Sequence, residues 1–85
     1  MPRSLFSEPY GELLRVLVDA RRKAGLRQTD LAERLGKPQS FVSKIERGER
    51  RLDVVELIVV ARAIGIDEFG FFRSVATSVS KSARL

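Results

Sequence analysis

The side chains best placed to act on another molecule lie in one short run, Gln39-Ser40-Phe41-Val42-Ser43-Lys44-Ile45-Glu46-Arg47. Wound as a helix at about 100° per residue, Gln39, Ser43, Arg47, Ser40 and Lys44 fall in that order within one arc of roughly 140°. Val42, Ile45 and Phe41 take the opposite side. The polar arc therefore carries an amide, hydroxyls, an ammonium and a guanidinium, and no carboxylate that phosphate would repel. An amide pairs in bidentate fashion with adenine, a lysine reaches guanine O6 and N7, and hydroxyls serve either strand. This is the chemistry of reading a nucleic-acid groove.

Other chemistries have fewer means. The chain has no cysteine and no histidine. That removes disulfides, thiolate nucleophiles, a histidine general base and any zinc site not built from carboxylates alone. No phosphate-binding glycine loop is present. The expectation is a protein that is not an enzyme and uses neither cofactor nor metal.

The elements that must position the polar arc are helical, because apolar residues recur at helical and hardly ever at alternating spacing. Ser7-Glu8-Pro9 reads as a helix start, and Leu13, Leu14, Leu17, Ala20 and Ala24 form the inward side of a helix that Gly25 stops. A second helix over 28–35 turns Leu31, Ala32 and Leu35 inward and ends at Gly36. Lys37-Pro38 breaks the chain before the third helix, 39–47, since the residue before proline avoids helical geometry. Asp53 and Glu56 form a capping box for a fourth helix that ends at Gly65. Asp67 caps a last short turn carrying Phe69, Phe71 and Phe72, and the Ser-rich tail from Ser74 is expected to fray. The fold class is all-α, a compact bundle of five short helices. Its domain spans 10–73, with an arm over 1–9 and a tail over 74–85. A link of three or four residues containing Gly between the second and third helices suits a helix-turn-helix crossing.

Charge agrees with this placement. Of the net charge of +5, residues 1–52 hold 12 Lys/Arg against 7 Asp/Glu, whereas 53–85 hold 4 against 4. The whole excess sits in the first three-fifths of the chain, which contains the polar arc, as expected where one face meets a polyanion and the other meets protein. No run approaches the roughly 20 apolar residues of a membrane span. MPRSLFSEPYGE meets acidic and turn residues too early for a signal peptide, so a cytoplasmic location is expected. Arg15, Arg21, Arg22 and Lys23 beside Leu and Val raise the idea of a cationic membrane binder. The helix breaks and caps favour a folded bundle instead.

Taken together, Gln28, Leu31-Ala32, Gly36, Gln39, Val42-Ser43, Ile45-Glu46-Arg47-Gly48, Leu57, Ala61 and Ile64 give a pattern that resembles the phage-repressor-like (lambda repressor/Cro, Xre-type) helix-turn-helix family. The resemblance extends over about residues 10–73. It implies that Gln39, Ser40 and Lys44 read base edges, with Ser43 between them against a base or a phosphate. It also implies that Gln28 holds a phosphate and buttresses Gln39. Arg27 and Arg47 would flank that phosphate, and Arg50 and Arg51 would grip the backbone from a loop. Phosphate contacts position the protein and base contacts specify the sequence. Glu46, facing the core side, would pair with Arg21 to fix the angle of the helix-turn-helix. The chain departs from the family where Arg27 and Pro38 replace capping Ser or Thr, each lost cap costing about 1 kcal/mol. It departs again at Phe41, which either packs sideways or touches a thymine methyl.

A second surface is expected on residues 54–64, where only Glu56 and Arg62 interrupt apolar side chains. A helix apolar all round in so small a domain requires a cover. Val59, Ala63, Phe69, Phe71 and Phe72 are the expected dimer interface. A two-fold homodimer would set two recognition helices about 34 Å apart for a pseudo-palindromic DNA site. The expected function is a stand-alone transcriptional regulator binding double-stranded DNA. The alternative is a protein-interaction module, or an antitoxin-like protein that holds a toxin on its fourth and fifth helices.

Overall fold

The computed structural model describes residues 9–84, which form five α-helices and, among themselves, no strand. These are α1 Pro9–Lys23, α2 Gln28–Leu35, α3 Gln39–Glu46, α4 Val54–Ile64 and α5 Glu68–Ser78. The start expected at Ser7-Glu8 and most of the 1–9 arm lie outside the described residues. Leu14 and Leu17 lie three apart on α1 and are fully buried. They meet Leu31 and Ala32 of α2, Val42 and Ile45 of α3, Leu57, Val60, Ala61 and Ile64 of α4, and Phe71 and Val75 of α5 in one core. α2 packs chiefly on α3, and α1 bridges α3 and α5.

Helix ends are set by local chemistry. Gly36 adopts φ +67°, and the Lys37 amide donates to the Ala32 carbonyl at 3.0 Å. A side chain at Gly36 would meet open space, so its requirement is one of backbone conformation alone. This left-handed residue turns the chain from α2 into α3. The Asp53 carboxylate accepts from the Glu56 amide at 2.7 Å, and Glu56 accepts from the Asp53 amide at 3.0 Å. At the far end of α4, Arg34 Nη1 donates to the Ala63 carbonyl at 2.9 Å and so ties α2 to α4. Four carbonyls at a helix end lack intrahelical donors, and this guanidinium satisfies one of them.

Three expectations need correction. α5 is a helix of three turns rather than one short turn, and it continues through Ser78 rather than fraying from Ser74. The Ser74 hydroxyl donates to the Gly70 carbonyl and the Ser78 hydroxyl to the Ser74 carbonyl, so these serines stay within the helix. Val75 is buried and holds the last turn against the bundle. Phe71 is 5% exposed and belongs to the core, not to a dimer interface. Phe71 joins the core and also lines the α4–α5 cleft beside the exposed Phe69 and Phe72.

Candidate nucleic-acid interface

One side of α3 is seated on hydrocarbon, and its C-terminal end is held by a buried ion pair. Val42 and Ile45 are buried in the core, and Phe41 packs half-buried against it. Glu46 is buried as well, although it is charged. Arg21 meets it in a two-pronged contact, Nε to Oε2 at 2.7 Å and Nη2 to Oε1 at 2.9 Å, and Arg21 Nη1 donates to the Leu26 carbonyl at 2.8 Å. The residues are 6% and 8% exposed. Fork-shaped pairing matches the guanidinium to the carboxylate and fixes orientation as well as distance. The contact joins α1, the α1–α2 turn and the end of α3, and so sets the attitude of α3.

From this pair a chain of hydrogen bonds runs outward. Gln28 Nε2 donates to Glu46 Oε1 at 2.9 Å, and Gln39 Nε2 donates to Gln28 Oε1 at 2.6 Å. The bond to Gln28 consumes one N–H of Gln39. Its carbonyl oxygen and second N–H remain, which is the acceptor–donor pair an adenine edge requires. Ser40 and Lys44 stand exposed beside Gln39, and Ser43 is half-buried between them. No carboxylate of α3 shares this surface, since its sole acid, Glu46, is turned to Arg21.

The flanking cations are not idle. Arg27 Nε and Nη2 bond the Asp30 carboxylate, both at 3.1 Å. Arg47 Nε lies 2.7 Å from Glu49, and Arg50 Nη2 lies 2.7 Å from Glu56. The Arg50 guanidinium and the Lys37 ammonium also lie 4.8 and 5.4 Å from the Phe41 ring centroid. Phe41 thus packs sideways and supports two cations by attraction to its π face. Arg51 sits 4.0 Å from the Tyr10 ring, whose hydroxyl accepts from the Leu52 amide at 3.0 Å.

Two contributors, Asp30 and Tyr10, lie beyond the residues read from the sequence, and Phe41 gains a role as a seat for cations. Asp30 accepts from the Arg27 backbone amide at 2.8 Å, the reciprocal half of a capping box, while the Arg27 side chain has no acceptor for the first-turn amides. Its position three residues beyond Arg27 was a readable signal. Contact with Arg27 and that amide holds the Asp30 carboxyl below its ordinary value, and contact with Arg50, then the Asp53 amide, does the same for Glu56. Tyr10 and Phe41 act as aromatic seats for loop arginines across long sequence separations, and no local signal marks either role.

A short α2, a turn through Gly36 and Pro38, and an α3 that buries one face while offering amide, hydroxyl and ammonium groups on the other define a helix-turn-helix of the DNA-binding class. The chain belongs to the Xre-type helix-turn-helix family, whose model, described as Helix-turn-helix (HTH_3), matches residues 17–71. It is similar to an XRE-family like protein from Pseudomonas syringae pv. tomato str. DC3000, with 48% identity and a TM-score of 0.76 over 81% of this chain and 84% of that one. It is also similar to an uncharacterized HTH-type transcriptional regulator, y4dJ, of Sinorhizobium fredii (strain NBRC 101917 / NGR234). The two are 39% identical over 46 residues, which is 54% of this chain and 60% of that protein's length. The chain therefore spans less than two thirds of that curated relative.

Proposed function

We propose that the protein is a cytoplasmic transcriptional regulator that binds double-stranded DNA in a sequence-specific manner, with α3 in the major groove. The observation that carries this reading is the bonded series Arg21–Glu46–Gln28–Gln39, which runs from a buried ion pair to an exposed amide. Preorganisation of this kind favours recognition, because a side chain already fixed loses little freedom on docking. In this reading Gln39, Ser40, Ser43 and Lys44 meet base edges. Gln28, Arg27, Arg47, Arg50 and Arg51 meet the sugar–phosphate backbone.

The protein acts in this reading as a homodimer. Val59, Phe69 and Phe72 are exposed, and Val54 and Val55 with them, although all are hydrocarbon. Between α4 and α5 lies an apolar cleft of about 240 Å³ lined by Val54, Leu57, Ile58, Phe69, Phe71 and Phe72. Ala63 is partly buried against the core and adds less. Exposed aromatic side chains beside a cleft on the same face favour self-complementary two-fold contact. A toxin or other protein on this cleft is the alternative reading.

Selection of bound duplexes from a random pool tests the proposal. The expected product is a pair of inverted half-sites with centres about 10 base pairs apart. Enrichment of no sequence, or of a single unrepeated site, contradicts the dimeric regulator.

A further inference from the structure

Three of the arginines assigned to phosphate already hold a carboxylate. Arg27 is hydrogen-bonded to Asp30 and Arg50 to Glu56, and Arg47 stands in an ion pair with Glu49, each pair lying within 3.1 Å. Two of these carboxylates have a second task. Asp30 caps α2 through the Arg27 amide, and Glu56 caps α4 through the Asp53 amide. Their positions are fixed by the fold. Glu49 is different. It lies in the loop after α3, its side chain is half exposed, and its partner among the described residues is Arg47.

We infer that Glu49 is an internal competitor for phosphate, which occupies Arg47 in the free protein and holds down the sequence-independent part of DNA affinity. The inference rests on the DNA-binding reading above. Phosphate and carboxylate seek the same planar fork of guanidinium N–H donors. A strand that takes Arg47 must displace Glu49 or tolerate its charge close by. Exposed ion pairs are weak, so the exchange is readily made, yet its cost falls on every DNA sequence alike. Backbone grip is thereby lowered without touching Gln39, Ser40 or Lys44, and the base contacts of α3 gain weight in deciding where the protein stays. Asp30 and Glu56 impose the same competition on Arg27 and Arg50 at places where removal would also damage a helix cap.

The test uses the full chain and a mixed-sequence duplex titrated over a range of salt. Glu49→Gln is expected to bind about two- to five-fold more tightly at low salt than the wild type. Its salt dependence should steepen by up to about 0.9 in the logarithmic slope, one further counterion released. Glu33→Gln removes the same charge from an exposed residue of α2 that joins no ion pair among the described residues. It serves as the control and should gain less. Combining Glu49→Gln with Arg47→Ala should abolish the gain, as a coupled pair demands. A wild type that binds DNA while Glu49→Gln binds no more tightly than Glu33→Gln overturns the inference alone. So does a gain that survives Arg47→Ala, or a Glu49→Gln protein that binds more weakly. Absence of duplex binding by every variant, wild type included, overturns both this inference and the function it rests on.

Discussion

The α2–α3 half and the α4–α5 half of the molecule share one core but solve opposite surface problems. In the first, a charged pair is buried and polar side chains are exposed: Glu46 of α3 lies inside against Arg21 of α1, and Gln39, Ser40 and Lys44 lie outside. In the second, the polar groups are spent on caps, and hydrocarbon remains on the surface, with Phe69 76% and Phe72 60% exposed. Burying an ion pair is a weak source of stability, since desolvation offsets much of the attraction. Its return here is geometric, because it orients a helix whose outer face must meet a partner in one attitude. The exposed hydrocarbon of α4 and α5 carries no such orientation demand and needs only to be covered. One half is built for register, the other for area.

The largest expected effect breaks the first half. Arg21→Ala strands the Glu46 carboxylate in the core and should cost about 3–5 kcal/mol. Domains of this size are stable by only about 5–15 kcal/mol, so a fall in Tm of tens of degrees, or loss of the folded state, is expected. A melting temperature within a few degrees of the wild type would contradict the orienting role. Next is the second half. Phe69→Ser with Phe72→Ser should leave thermal stability within about 0.5 kcal/mol per site when measured on the monomer, since both side chains are exposed. Sedimentation should show the dimer giving way to monomer. Unchanged mass at low micromolar concentration would move the interface elsewhere.

The smallest effect concerns acid. The carboxyls of Asp30 and Glu56 lie below their ordinary values of 3.8 and 4.5, because each bonds an arginine and a backbone amide. Their contribution is full above those values. It is lost as the pH falls below them through the depressed values of the folded protein. Thermal melts should therefore show stability holding from neutrality to about pH 5 and declining below. Asp30→Asn should flatten that decline, and an unchanged acid profile in the variant would remove Asp30 from its cause.

What could be read in the sequence follows the range of the interactions. The capping box at Asp53 and Glu56 and the helix stops at Gly25, Gly36 and Gly65 are local, and they define α1 to α4 within a residue or so. The polar arc of α3 needed only the helical repeat. Arg21 and Glu46, 25 residues apart, came from family resemblance and not from any spacing rule. Three phenylalanines so close together do not reveal from sequence which one the core takes; in the helix Phe71 is buried while Phe69 and Phe72 stay exposed. The seating of Arg51 on Tyr10 and of Arg50 on Phe41 depends on how loops close over the bundle, and neither neighbouring residues nor periodicity encodes that closure.

The most direct test is discrimination by α3. Gln39→Ala and Lys44→Ala should each retain the helical circular dichroism and melting temperature of the wild type. Each should weaken binding to the selected duplex by about 5- to 150-fold, with far less change on mixed-sequence DNA. A full preference for the selected duplex in both variants would contradict base reading by this helix.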